Sequence, residues 1–167
     1  MNLSIISLFI GLIVLALDIV TKYLVQANIP LINYFHYAYP YQGIPVFENV
    51  AGIEFSIVHT VNTGAAWGML AHFQYYLLVF RIILILGIGI FLFFFNRRPA
   101  LSIPLALVMA GAIGNVFDFF IYGHVIDMFH FVLWGYDYPV FNVADCAICI
   151  GIFGAILLNL KTSPVQA

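Results

Sequence analysis

The fold class the sequence predicts is an all-α membrane protein, with four transmembrane helices and a small extracytoplasmic β-rich loop between helices 1 and 2. Three observations predict it. Of the 167 residues, 65% are hydrophobic and only 7% are charged, whereas a soluble domain carries about a quarter charged residues. Four apolar runs approach the roughly 20 residues an α-helix needs to cross a bilayer. The few basic residues fall where a four-span topology places cytoplasmic ends.

The first run extends from about Leu3 to Val25. It has no basic n-region and no A-x-A-like site, and it is longer than a usual signal-peptide core, so it reads as a retained span. The others run from about Phe73 to Phe95, Ala100 to Ile121 and Phe141 to Leu160. All four are long, continuous and free of strand alternation, which predicts helices. "NRRP", 96 to 99, is short enough only for a tight turn between the second and third.

Arg97 and Arg98 occupy that turn and Lys161 follows the fourth span, while neither of the other two connections contains Lys or Arg. Positive charge collects on the cytoplasmic side, so both termini and the turn are placed there. The connections of about 26–72 and 122–140 then face outward. The first is rich in Tyr, Phe, Pro and Gly, and its "IEFSIVHTV" alternates partly like a strand. It predicts a small sheet at the membrane surface, with aromatics at headgroup level. The second, containing "WGYDYPV", reads as a short ordered loop. The whole chain, 1–167, reads as a single membrane domain.

In this topology the polar residues of the spans gather at one depth. Asp18 and Lys22 lie at the outer end of span one, Asn115 and Asp118 at the outer end of span three, and Asn142 and Asp145 in the first turns of span four. Asp127 and the motif "NTGAAWG", 62 to 68, fall on the same side. An ionisable group at the bilayer centre costs about 2.5–3.5 kcal/mol on insertion scales. Four carboxylates, one lysine and three asparagines converging on one face therefore read as a site.

Each residue also has a plainer reading. Asp18 and Lys22, spaced i,i+4 with the acid first, suit a structural ion pair. Asn142 either caps the fourth span or contacts substrate or water. Asp118 reads as an interhelical hydrogen-bond partner, and Gly64 with its alanine neighbours suits close packing or a ligand-facing loop. The five histidines have no metal-site spacing, so no metal is expected, and no cofactor motif appears. Five basic residues and a formal charge of −2 leave no patch for nucleic acid. Cys146 and Cys149 read as packing residues.

Asp127 and Asp145 differ because neither has a basic neighbour in sequence and both fall where span meets water. Two carboxylates brought close cannot both ionise cheaply, so one keeps a proton. The charged member can draw a proton from water while the protonated one polarises a carbonyl, which is the chemistry of an aspartic peptidase.

The motifs resemble those of the signal peptidase II family, the prolipoprotein signal peptidases (aspartic peptidase family A8). "DIVTK" resembles its first-helix block, "NTGAAWG" its N-x-G-A-A-F/W block, and "GNVFD" with "GHVIDM" its two central blocks, while "FNVADCAICIG" resembles its F-N-x-A-D block. The resemblance implies Asp127 and Asp145 as catalytic residues. Asn62, Asn115 and Asn142 would bind or orient substrate, with Asp18, Lys22, Gly64 and Asp118 in support. It further implies hydrolysis of the bond before a diacylglyceryl-modified cysteine in prolipoproteins, inhibition by globomycin-type compounds, and a monomer among the lipids of a bacterial inner membrane. Two positions depart from the family pattern. Phe119 stands where an Arg is usual, and His130 where an acid often recurs. The segment from Leu31 to Glu54 is also long for the family.

Two other readings compete. A small proton-coupled carrier would use the acids as a relay, yet a relay wants acids spread across the membrane depth. An assembly protein would dock a partner on the polar face. No G-x-S-x-G motif points to a serine peptidase.

Overall fold

The computed structural model describes residues 3–32, 38–64 and 73–162. Helix α1 spans Leu3–Asn28, α2 Gln74–Ile90, α3 Ser102–Tyr122 and α4 Val143–Thr162. Among the described residues, four helical stretches, Ile5–Asn28, Gln74–Phe95, Pro99–Tyr122 and Val143–Leu160, are long and apolar enough to cross a membrane.

The ends of the helices follow local chemistry. Asn28 Nδ2 donates to the Leu24 carbonyl one turn back at 2.8 Å, the Ile29 amide closes the last turn of α1 on the Val25 carbonyl at 2.9 Å, and Pro30 follows. Helix α2 widens into a π-helical turn over Phe91–Phe95, closed by the Asn96 amide donating to the Phe91 carbonyl at 2.8 Å. A single 3-10 turn, Pro99–Leu101, leads into α3. Helix α3 ends at Gly123, whose φ of 79° suits a residue without a Cβ.

The chain divides into two compact units. The first comprises residues 1–18, 79–116 and 143–167. Small residues let its helices approach closely, as expected where lipid supplies no hydrophobic drive between them. Gly111 of α3 lies against the Ala144 carbonyl of α4. A Cβ at Gly151 would stand 2.5 Å from the Pro104 carbonyl oxygen and 2.7 Å from Val108 Cγ2. Asp18, fully buried, accepts a hydrogen bond from the Ala144 amide at 2.8 Å, so a carboxylate of α1 caps the start of α4.

The second unit comprises residues 19–78 and 117–142. Strands β1 (Ile44–Val50), β2 (Ile53–Asn62), β3 (Val125–Leu133) and β4 (Tyr136–Asp137) form one antiparallel sheet in that order. The segment 122–140, read from sequence as an ordered loop, thus supplies two of the strands. Its "VIDMFHFVL" hides the strand because both faces are covered, and alternation of polarity is required only where one face meets water.

Ile126 and Met128 point from β3 into a core with Val25 and Ile29 from the end of α1. Phe55 and Phe131 are direct cross-strand partners whose rings stack at 4.2 Å. Phe141 exchanges backbone hydrogen bonds with Phe129 at 2.8 and 3.2 Å, which lays the approach to α4 beside β3.

Candidate active site

Asp127 is the third residue of β3 and is 2% exposed. Its cross-strand partner is Thr60, just past an irregularity in β2 between Ile57 and Thr60. Such an irregularity re-aims the side chains beyond it. Two residues further, Asn62 donates through Nδ2 to Asp127 Oδ2 at 2.9 Å. The Asn62 side chain is itself oriented, because its Oδ1 accepts the amide of buried Gly64 at 2.9 Å in a local turn.

The other carboxylate oxygen is met from the far end of the second unit. Asn142, fully buried, donates through Nδ2 to Asp127 Oδ1 at 2.6 Å and to the Ile126 carbonyl at 3.3 Å. The Ile126 amide in turn donates to Asp118 Oδ2 at 3.2 Å. Both polar groups of the residue before Asp127 are therefore held by side chains. Asp118 also forms an ion pair with Lys22 at 2.8 Å, each partner 1% exposed. This pair ties α1 and the end of α3 to the start of β3.

Asp145 lies in the first turn of α4 and is half-buried. A negative charge is favoured there by the helix dipole. Buried Asn115 of α3 donates through Nδ2 to Asp145 Oδ1 at 3.0 Å.

The structure thus sorts the residues picked out by sequence into an Asp127 group with Asn62, Gly64 and Asn142, an Asp145 group with Asn115, and a Lys22–Asp118 pair. Asp18 takes a role that its i,i+4 spacing to Lys22 did not suggest, as acceptor for the Ala144 amide. Gly114 explains itself by the same contact, since a Cβ there would strike the Asp18 carboxylate. Ala65 to Gly68 of "NTGAAWG" lie outside the described residues.

His59 and His124 were not assigned to the site from sequence. His59 shares its Nδ1 hydrogen with the Ile29 carbonyl at 2.9 Å. His124 follows the turn at Gly123, and burial, with a smaller contribution from His59, pushes its proton affinity below the ordinary histidine value. Among the described residues, no group of three His, Cys, Asp or Glu side chains is placed to hold a metal ion.

Comparison with known proteins shows the family. Residues 10–161 match the family model described as Signal peptidase (SPase) II. The lipoprotein signal peptidase of Bacillus subtilis (strain 168) is 34% identical over 144 residues, covering 86% of this chain and 85% of the relative. Two solved structures of a bacterial membrane enzyme, determined by the in meso method, are also similar. The first superposes with a TM-score of 0.80 at 27% identity, covering 96% of this chain and 91% of the other. The second gives 0.76 at 28% identity, covering 94% of each. The family match spans nearly the full chain, so this protein belongs to the signal peptidase II family and is a peptidase.

Proposed function

We propose that the chain works as a single integral membrane domain that removes signal peptides from diacylglyceryl-modified prolipoproteins, cutting the bond before the lipidated cysteine by an aspartic mechanism. The four apolar helices cross the bilayer with both termini in the cytoplasm. The active site opens at the outer face, and Asp127 and Asp145 form its catalytic pair. The observation that carries the reading is the set of amide donors on Asp127, one on each oxygen, at 2.9 and 2.6 Å.

That pattern fits a carboxylate that enters the reaction ionised, because N–H groups donating to both oxygens favour the charged form. Asp127 is accordingly the base. It takes a proton from water as the water oxygen attacks the scissile carbonyl, while protonated Asp145 donates to the carbonyl oxygen. The tetrahedral diol collapses as Asp127 passes its proton to the leaving amine and the carbonyl re-forms, returning a proton to Asp145. Asn115 donates to Asp145 Oδ1 and so orients that carboxyl.

The test is cleavage of a diacylglyceryl-modified precursor by the purified chain. Asp127→Asn and Asp145→Asn should each lower the rate by at least about 100-fold, the lower end of what a positioned acid or base contributes, while thermal unfolding still shows a folded protein. Wild-type processing by either folded variant refutes the paired mechanism. Equal cleavage of the unmodified precursor refutes the substrate class.

A further inference from the structure

We propose that Thr60 is a positioning residue for Asp127, whose hydroxyl accepts the O–H of that carboxyl once Asp127 has taken a proton from water. The inference deepens the catalytic reading above and rests on Asp127 as its base.

Strand register brings the two side chains together. Thr60 and Asp127 are direct partners across β2 and β3. Directly opposed residues of an antiparallel pair turn to the same face, with Cβ atoms about 4.5–5.5 Å apart. Asn62, two residues on along β2, lies on that face too and reaches Asp127 Oδ2 at 2.9 Å. Ile126 and Met128 leave β3 on the other side, into the core with Val25 and Ile29. Thr60 thus stands on the face that carries the site, not on the one that carries the core.

In the resting protein the hydroxyl has no use. Thr60 Oγ1 is closed to solvent and, among the described residues, has no hydrogen-bond partner. A buried hydroxyl left unpaired lowers stability, and valine would fill the same volume without one. The group that gives it a use is a neighbour whose hydrogen bonding changes during the reaction.

Asp127 is that neighbour. Ionised, it accepts from Asn62 on Oδ2 and from Asn142 on Oδ1. Protonated, it carries an O–H, which an N–H cannot accept. Asn62 cannot offer its oxygen instead without giving up the Gly64 amide, bound there at 2.9 Å. A hydroxyl both donates and accepts, and its hydrogen rotates to suit. Thr60 therefore holds the proton on Asp127 through the life of the tetrahedral diol, until the leaving amine takes it. No bond forms or breaks beyond those of the peptidase reaction itself.

The test is cleavage of a diacylglyceryl-modified precursor by full-length Thr60→Val and Thr60→Ser beside wild type and Asp127→Asn, with thermal unfolding of each. Thr60→Val should lower kcat about tenfold, or about 1.4 kcal/mol, with KM little changed. It should unfold no lower than wild type, since the hydroxyl it removes is unpaired at rest. The bond favours protonated Asp127, so its loss should move the acid limb of kcat/KM to lower pH, by up to about one unit. Thr60→Ser keeps the hydroxyl and should stay close to wild type in rate and in limb position. Asp145, His59, His124 and the Lys22–Asp118 pair are the same in every Thr60 variant, so a displaced limb reports on Asp127. Undiminished kcat in Thr60→Val, an acid limb unmoved or moved to higher pH, or an equal loss in Thr60→Ser overturns the proposal. So does a lower unfolding midpoint in Thr60→Val, which would mean that the hydroxyl is paired at rest. Wild-type cleavage by Asp127→Asn would remove the base itself, whereas inactive Asp127→Asn beside fully active Thr60→Val would remove only the role of Thr60.

Discussion

Asn142 and Asn62 hold the same carboxylate, yet removing them should not have the same consequence. Asn142→Ala deletes the 2.6 Å bond to Asp127 Oδ1 and the 3.3 Å bond to the Ile126 carbonyl at a fully buried position. Water has no ready route there. A hydrogen bond to a charged group contributes about 1.5–3 kcal/mol, and a buried acceptor left unpaired costs about 1–3 kcal/mol. Asn62→Ala deletes the 2.9 Å bond to Asp127 and the 2.9 Å bond from the Gly64 amide, at a half-buried residue where water can replace the amide on the carboxylate. Its loss should come to about 1 kcal/mol. With 1.36 kcal/mol per decade of rate, kcat for cleavage of a lipidated precursor should fall about 100-fold or more in Asn142→Ala. In Asn62→Ala it should fall about fivefold. Thermal unfolding in detergent should rank the variants in the same order. Equal effects, or the reverse order, would refute the argument that burial decides which amide matters.

Two further outcomes follow from the packing around the site. Lys22→Met leaves Asp118 charged and buried, which should lower stability by about 3–5 kcal/mol; adding Asp118→Leu should recover part of it, and a double variant less stable than the single would contradict the ion-pair account. His124 binds a proton less readily in the folded protein than in the unfolded chain, so its contribution to stability is complete above about pH 6.5 and is lost as pH falls below that value. The unfolding midpoint should therefore drop between pH 7.5 and 5.5 by less in His124→Gln than in wild type, and equal drops would refute it.

The helices were legible because an apolar run long enough to cross a bilayer has few other uses. The π-helical end of α2 was not, since "FLFFF" carries no periodicity that separates an i+5 bond from an i+4 bond. Strand β2 showed itself through partial alternation, while β3 did not, because Ile126 and Met128 enter one core and Phe129 and Phe131 meet Phe141 on the other face. In the site, sequence position groups the acids and asparagines near one end of the spans. Which asparagine meets which aspartate depends on strand register and helix contact, and neither is written locally. The bond between Asp18 and the Ala144 amide joins residues 126 positions apart, so spacing pointed only to the neighbour one turn away, Lys22.

Under the proposed mechanism, the choice of partner for each acid separates holding from reacting. Asp118 faces a lysine at 2.8 Å and also accepts a backbone amide, an arrangement that commits it to fixing Ile126. Asp127 and Asp145 are oriented instead by asparagine amides. An amide N–H aims a carboxylate without neutralising it and adds no cation to hold the proton off. A lysine at Asn142 or Asn115 would orient the same oxygen but would hold the carboxylate ionised, which suits neither a base that must take up a proton nor an acid that must keep one. Clamping Ile126 through both its amide and its carbonyl does the remaining work, because it positions Asp127 through the backbone and leaves the side chain to be aimed by neutral donors. On this argument the buried lysine belongs one residue removed from the chemistry, where it stands.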